Sequence, residues 1–192
     1  MRVLVVDNNT NYLPQLKKLL SDHFFQVVKY TEVDLVDSNN FDLIILSGGH
    51  GLPIQGNEAY FKKEIDLIHT TTKPIFGICF GFELIAHTCG AKLTKLKNKN
   101  KGILNINVVK PDKLFFNIPN FQVYENHRWV IKKVPESLIV LARSSNGIEA
   151  IKHKTRFIYA VQFHPEMCVK KTCGDEIFLN FLSLAKSGQI QP

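Results

Sequence analysis

The stretch Gly77-Ile78-Cys79-Phe80-Gly81 sets a thiol between two glycines, after the apolar residues 74–78 and before a helix-compatible run over 80–88. A cysteine at a strand-to-helix turn is placed for nucleophilic chemistry, as the thiol counterpart of the Gly-x-Ser-x-Gly elbow. Gly77 and Gly81 allow a backbone approach that a Cβ would block. The helix that follows aims its N-terminus at Cys79, and that partial positive charge predicts a shift from thiol toward thiolate. The backbone N–H of Phe80 has no partner inside the helix, so it can face an oxyanion. A structural cysteine between packing glycines would give the same five residues, so the elbow needs a base before it means chemistry. The segment Ala160-Val161-Gln162-Phe163-His164-Pro165-Glu166 offers one. An apolar strand ends on His164, Pro165 keeps His164 extended, and Glu166 shares a side of the chain with the imidazole. Glu166 can hold one ring nitrogen and raise the basicity of the other toward Cys79.

These groups need a scaffold that brings residue 79 and residue 164 together. Apolar strands are expected at 2–6, 25–30, 41–46 and 74–78, with helices following Asn8–Asn11 on a Leu13, Leu16, Leu19, Leu20 face, over 58–69 and over 80–88. The near-continuous apolar character of 41–46 is that of a strand covered on both faces. This alternation predicts an α/β three-layer sandwich with a mostly parallel central sheet and right-handed crossovers. Asp7 and Asn8 are expected to cap the first helix. The second half reads differently: short strands at 103–109, 121–124, 138–142, 148–152 and 157–163 suggest additional, partly antiparallel strands on the same sheet. An amphipathic helix over 174–185 closes the chain with Ile177, Phe178, Phe181, Leu182 and Leu184 on its apolar side. No repeat, low-complexity tract or linker divides residues 1–192, which read as one domain.

Hydrophobic content of 45% with 21% charged residues is ordinary for a soluble globular protein. No apolar run approaches the roughly 20 residues of a membrane-spanning helix, and no secretory signal is evident, so a cytoplasmic protein without membrane partners is expected. Four cysteines form no CxxC pair, and the Cys168–Cys173 spacing matches no common zinc pattern, so reduced thiols and no metal are expected. The net charge of +7 raises nucleic acid as a partner. Its densest source, Lys95, Lys97, Lys99 and Lys101, recurs every second residue on one side of an extended segment. No aromatic residue is interleaved there to stack on bases, which argues against nucleic acid and leaves a solvated hairpin or a docking face for an acidic protein.

GICFG, the SGGHG turn at 47–51 and VQFHPE, in this order and spacing, resemble the class I glutamine amidotransferases, whose sheet is flavodoxin-like. The likeness runs from RVLVVDNN to the final helix, and KHKTRFIYAVQFHPE with GDEIFLNFL is most similar to the separate glutaminase subunits of GMP synthase, an enzyme of purine biosynthesis. Glutaminase chains of anthranilate and aminodeoxychorismate synthases share the same core motifs. The resemblance implies a Cys79, His164, Glu166 triad acting on L-glutamine without a cofactor. It implies an oxyanion hole from the backbone N–H groups of Gly49 and Phe80, and substrate contacts at Gly48, Glu83 and Gly102. Ammonia would pass to an ATP-dependent synthetase partner, since 192 residues leave no room for that domain, and His127 would relay contact with it. Three positions depart from the family pattern: Glu83 stands where glutamine is usual, His50 where proline is common, and Asn126-His127 where Ser-His is frequent. An ionised carboxylate at 83 cannot donate hydrogen bonds and repels a substrate carboxylate, though it can pair with an α-ammonium. Two other functions fit the fold, a stand-alone γ-glutamyl amide hydrolase and a catalytically silent regulatory subunit.

Overall fold

The structure, a computed structural model, describes residues 1–49, 51–118 and 120–188. A nine-stranded sheet has the order β2-β1-β3-β4-β9-β8-β7-β5-β6. Its strands are β1 (Arg2–Asn8), β2 (Phe24–Lys29), β3 (Leu43–Gly49), β4 (Ile75–Ile78), β5 (Leu93–Val108), β6 (Asn120–Ile131), β7 (Leu138–Arg143), β8 (Ile148–His153) and β9 (Ile158–Val161). The helices are α1 (Leu13–Leu19), α2 (Lys62–Thr70), α3 (Phe80–Thr88) and α4 (Gly174–Ser187). The first five strands in spatial order pair in parallel, and the other four pair antiparallel. The sheet is therefore mixed, and its parallel half, β2-β1-β3-β4-β9, has the strand order of flavodoxin-like folds with β9 as the fifth parallel strand.

Alternation along the buried strands sorts side chains into two cores. Val3, Val5, Leu43 and Ile45 face Leu16 of α1 and Phe178 and Phe181 of α4. Leu4, Val6, Ile44 and Leu46 face Ile68 of α2 and Leu84 and Ile85 of α3. Both faces of β1, β3 and β4 are thus covered, which is why these strands are nearly continuous apolar runs. The edge strand β2, by contrast, has no fully buried residue.

The antiparallel half differs from expectation in length. The lysine-rich segment and residues 103–108 form one strand, β5, and β6 runs to Ile131, well past residue 124. Between Lys95–Trp129 and Asn100–His127 the register jumps, so residues 96–99 bulge out of the ladder. That bulge breaks the predicted single lysine face, although Lys95, Lys97, Lys99 and Lys101 are all exposed. β6 is the last strand of the sheet, yet its outer edge is engaged: His164 N–H donates to Tyr124 O, and Cys173 N–H donates to Gln122 O, both at 2.9 Å.

The expected capping of α1 by Asp7 and Asn8 is not what forms. Tyr12 is the N-cap residue, with no side-chain cap bond. Asp7 Oδ1 instead accepts from Thr10 N–H at 3.0 Å. Asn8 turns across to β3, its N–H bonding Ser47 Oγ at 2.9 Å and its Nδ2 bonding Ser47 O at 3.1 Å. The side chain ties β1 to the glycine turn rather than to the helix. No described helix is long and apolar enough to cross a membrane.

Candidate active site

Cys79 precedes α3 with φ 49° and ψ −97°. A residue with a side chain takes that conformation only when its surroundings enforce it, at a cost on the order of 1–3 kcal/mol. Here the enforcement is packing. A Cβ on Gly81 would stand 2.3 Å from Leu46 O, and one on Gly77 would stand 2.8 Å from Gly81 O and 2.6 Å from Ile85 Cδ1. Only glycines let α3 sit this close to β3 and β4, and the close seating forces the sharp turn at 79. Cys79 N–H is spent on Val161 O at 2.9 Å, while Phe80 N–H is directed at the sulfur.

His164 arrives from the neighbouring strand. β4 and β9 pair in parallel with Ile78 opposite Val161, so the chain leaving β9 carries His164 to the same sheet end as Cys79. His164 Nδ1 lies 2.8 Å from Glu166 Oε1, with the two side chains 4% and 1% exposed. With Nδ1 engaged, Nε2 is the nitrogen left for other chemistry. Gly48 lies between the two reactive groups: a Cβ there would stand 2.7 Å from His164 Cε1 and 3.6 Å from Cys79 Cβ. Thiol and imidazole therefore flank one glycine. Gly49 is seated so tightly on β1 that a Cβ would meet Asn8 O at 2.1 Å.

Cys79, His164, Gly49, Phe80, Glu83 and His127 open on one cleft of about 530 Å³. Gly102 is not part of its wall; it stands opposite Glu125 in the β5–β6 ladder with φ 132°. His50 lies outside the described residues. Several further wall residues were not evident from the sequence. Tyr12, Asn126, Arg128, Trp129, Lys95 and Lys99 all line the cleft. Lys95 borders the β5 bulge and Lys99 lies within it, and no local pattern announces that bulge. Gln162, between β9 and His164, donates Nε2 to Glu83 Oε1 at 3.1 Å and lies 3.9 Å from Cys79 Sγ. Its place two residues before a candidate base is the signal that could have found it.

The electrostatics overturn one expectation. Burial, followed by the charges of Glu83, Glu125 and Glu166, pushes the Cys79 thiol well above its ordinary range. The helix N-terminus and the Phe80 N–H oppose this and do not prevail, so the resting group is a thiol. Glu83 itself is raised to about 7 by burial, against the pull of Gln162 and His127.

A second buried cluster lies behind Glu83. His127 Nδ1 donates to Trp129 O at 2.8 Å, and Nε2 lies 2.6 Å from Glu125 Oε2. Glu149 joins Glu125 and takes a bond from Ser144 Oγ at 2.5 Å. Ligand-type atoms of Glu125, His127 and Glu149 all lie within 4.8 Å of one another, the spacing of a three-ligand metal site. The 2.6 Å contact sets the imidazole directly against the carboxylate.

The chain matches the glutamine amidotransferase class-I family over residues 4–184. It is 34% identical to a glutamine-hydrolyzing GMP synthase subunit of Methanocaldococcus jannaschii over 93% of this chain and 95% of that one. The corresponding GMP synthase subunit of Pyrococcus abyssi is 31% identical over 95% and 97% of the two chains. The crystal structure of a GMP synthase subunit protein from Thermoplasma acidophilum superposes with a TM-score of 0.86 at 30% identity, covering 98% of this chain and 95% of that one.

Proposed function

Because the chain belongs to the class-I glutamine amidotransferases, we propose that it hydrolyses the side-chain amide of L-glutamine at Cys79 and passes the ammonia to a separate ATP-dependent synthetase subunit, as the glutaminase part of a GMP synthase. The observation that carries this reading is the strained turn at Cys79 with the His164–Glu166 pair across Gly48. Residues 1–192 act as one domain in it, since both halves of the sheet furnish the cleft.

The buried thiol gives its proton to His164 as the sulfur attacks the amide carbon, and Glu166 balances the imidazolium that forms. The amide oxygen becomes an oxyanion held by the N–H groups of Phe80 and Gly49, each such donor being worth roughly 3 kcal/mol. His164 returns the proton to the departing nitrogen, the C–N bond breaks, and a thioester and ammonia result. Water then attacks the thioester, His164 takes its proton and hands it to sulfur, and glutamate leaves. Glu83 receives the substrate's α-ammonium, while Lys95, Lys99 and Arg128 at the mouth draw the α-carboxylate. An entering ammonium offsets the negative charge beside the thiol, so substrate binding itself makes Cys79 easier to deprotonate.

The test is glutamate release from glutamine by the purified chain, with and without a GMP-forming synthetase subunit. Release that rises on adding the synthetase and vanishes in Cys79→Ala is expected. Strong release from the isolated chain that no synthetase alters indicates a stand-alone hydrolase, and no release under any condition leaves a silent regulatory subunit.

A further inference from the structure

Tyr12 ends the loop between β1 and α1 and stands where the base and the substrate wall meet. Its ring packs on the His164 imidazole, centroids 4.8 Å apart and planes at 84°. Its hydroxyl accepts from Asn126 Nδ2 at 2.7 Å and lies 3.5 Å from the Tyr124 hydroxyl, to which it can donate. Asn126 Oδ1 is buried with no hydrogen-bond partner. Tyr12 and Asn126 both face the cleft that holds Cys79 and Glu83. Since the donor side of the amide is committed to Tyr12, the acceptor side is what remains for a ligand. A buried carbonyl oxygen left unpaired is costly, and it marks a place where a donor belongs.

We propose that Tyr12 is a positioning residue with two separable roles: its ring braces the His164 imidazole, and its hydroxyl orients Asn126 so that Oδ1 meets the α-ammonium of the substrate. The inference rests on the reading of His164 as the base. Glu166 holds the imidazole through one nitrogen only, which leaves the ring free to tilt about that bond. The Tyr12 ring, nearly perpendicular to the imidazole at 4.8 Å, limits that tilt from close by, with the Tyr124 ring farther off at 6.5 Å. Burial and the Tyr124 contact push the Tyr12 hydroxyl up to about 12, so it stays protonated and able to serve both neighbours. The same side chain thus couples where the substrate's amine sits to where the base points.

The experiment is alkylation of Cys79 by a diazoketone analogue of glutamine, whose saturation kinetics separate recognition (KI) from the proton-coupled step (kinact) without need of a partner subunit. Tyr12→Phe keeps the ring and loses the hydroxyl, so KI should rise roughly five- to tenfold with kinact within about twofold. Tyr12→Leu should in addition lower kinact roughly tenfold or more, and move the pH profile of labelling. Asn126→Ala should raise KI as Tyr12→Phe does, and the double variant should be no worse than the worse single one. This cycle decides the matter if Tyr12→Leu fails to fold. Additive KI effects, or an unchanged KI in Tyr12→Phe, overturn the proposal. His164→Ala separates the two readings. If it labels poorly while the Tyr12 variants label normally, only the Tyr12 inference falls; if it labels at the native rate, the base assignment falls with it.

Discussion

Two histidine–glutamate pairs lie buried within reach of the same thiol, and their difference shows what makes a base. His164 and Glu166 meet at 2.8 Å, His127 and Glu125 at 2.6 Å, and all four side chains are at most 4% exposed. In each pair the residues are two apart, but only Glu125 and His127 lie in an extended strand, β6. His164 and Glu166 sit in a turn after β9 that Met167 N–H closes onto His164 O at 3.1 Å, so it is the turn and not the expected extended chain that brings them together. The nitrogens used are not the same. Glu166 engages Nδ1 of His164, whose Nε2 stays available. His127 spends Nδ1 on the Trp129 carbonyl and Nε2 on Glu125, with Asn100 Nδ2 also 3.3 Å from that nitrogen. A histidine with both nitrogens occupied holds a wall together; one with a free nitrogen at a strand end can move a proton.

The largest expected consequence concerns turnover. His164→Ala should lower glutamine hydrolysis roughly 10³–10⁴-fold, the worth of a positioned general base. His127→Ala, assayed on its folded fraction, should stay within about tenfold of the parent. Equal losses in the two variants would erase the distinction between the pairs.

Stability should respond the other way. Glu125→Ala removes one partner of a fully buried pair and should cost about 3–5 kcal/mol in denaturant unfolding. Glu125→Gln keeps the shape and should restore most of that loss with turnover within a few-fold of the parent. A Gln variant as stable as the parent but unable to hydrolyse glutamine would move the second pair into the chemistry.

Both pairs left marks in the sequence, but only one was legible there. His-Pro-Glu ends an apolar strand and comes with an elbow cysteine, and a parallel sheet delivers strand ends to one rim. The parallel half of the sheet, and the meeting of residues 79, 164 and 166 at one rim of it, were therefore readable from periodicity and turn chemistry. Glu125-Asn126-His127 lies in mid-strand, on a β6 that runs seven residues beyond the stretch ending at Tyr124. Nothing local tells a buried carboxylate in such a strand from a solvated one, because burial there depends on how the sheet curls. The β5 bulge and the wall it brings to the cleft, Lys95 and Lys99, were hidden for the same reason: a register shift belongs to two strands at once. The thiolate expectation failed differently. It weighed the helix end and omitted the burial of the sulfur and, after it, three carboxylates that only the tertiary fold places nearby.

Glu64 on α2 sharpens the comparison as a buried carboxyl without a histidine. It is 0% exposed, and burial raises it from 4.5 to about 8. The folded state thus holds a proton that the unfolded chain releases near 4.5. Stability from this group is full below that pH and drains away as pH rises toward 8. Glu64→Gln cannot ionise, so its unfolding free energy should exceed the parent's by a margin that grows across this window, on the order of 1–3 kcal/mol at the alkaline end. Parallel pH curves would mean that the carboxyl ionises in the fold and finds a cation to balance it.

The smallest effect is expected at Glu83, and it bears on why the thiol needs its base. After burial, the Glu83 charge is the largest influence holding Cys79 in its protonated form. Glu83→Gln has nearly the same shape and can still accept from Gln162 Nε2, so the wall should stay in place. Removing the charge should move the pH midpoint of Cys79 alkylation by iodoacetamide downward. An unmoved midpoint would put the raised thiol down to desolvation alone. The same substitution takes away the anion facing the substrate's α-ammonium, so the Michaelis constant for glutamine should rise while the free thiol becomes easier to ionise. Those opposite signs are the useful part: a residue that only fills space would shift neither quantity, and one that only repels the substrate would lower the Michaelis constant as it lowered the midpoint.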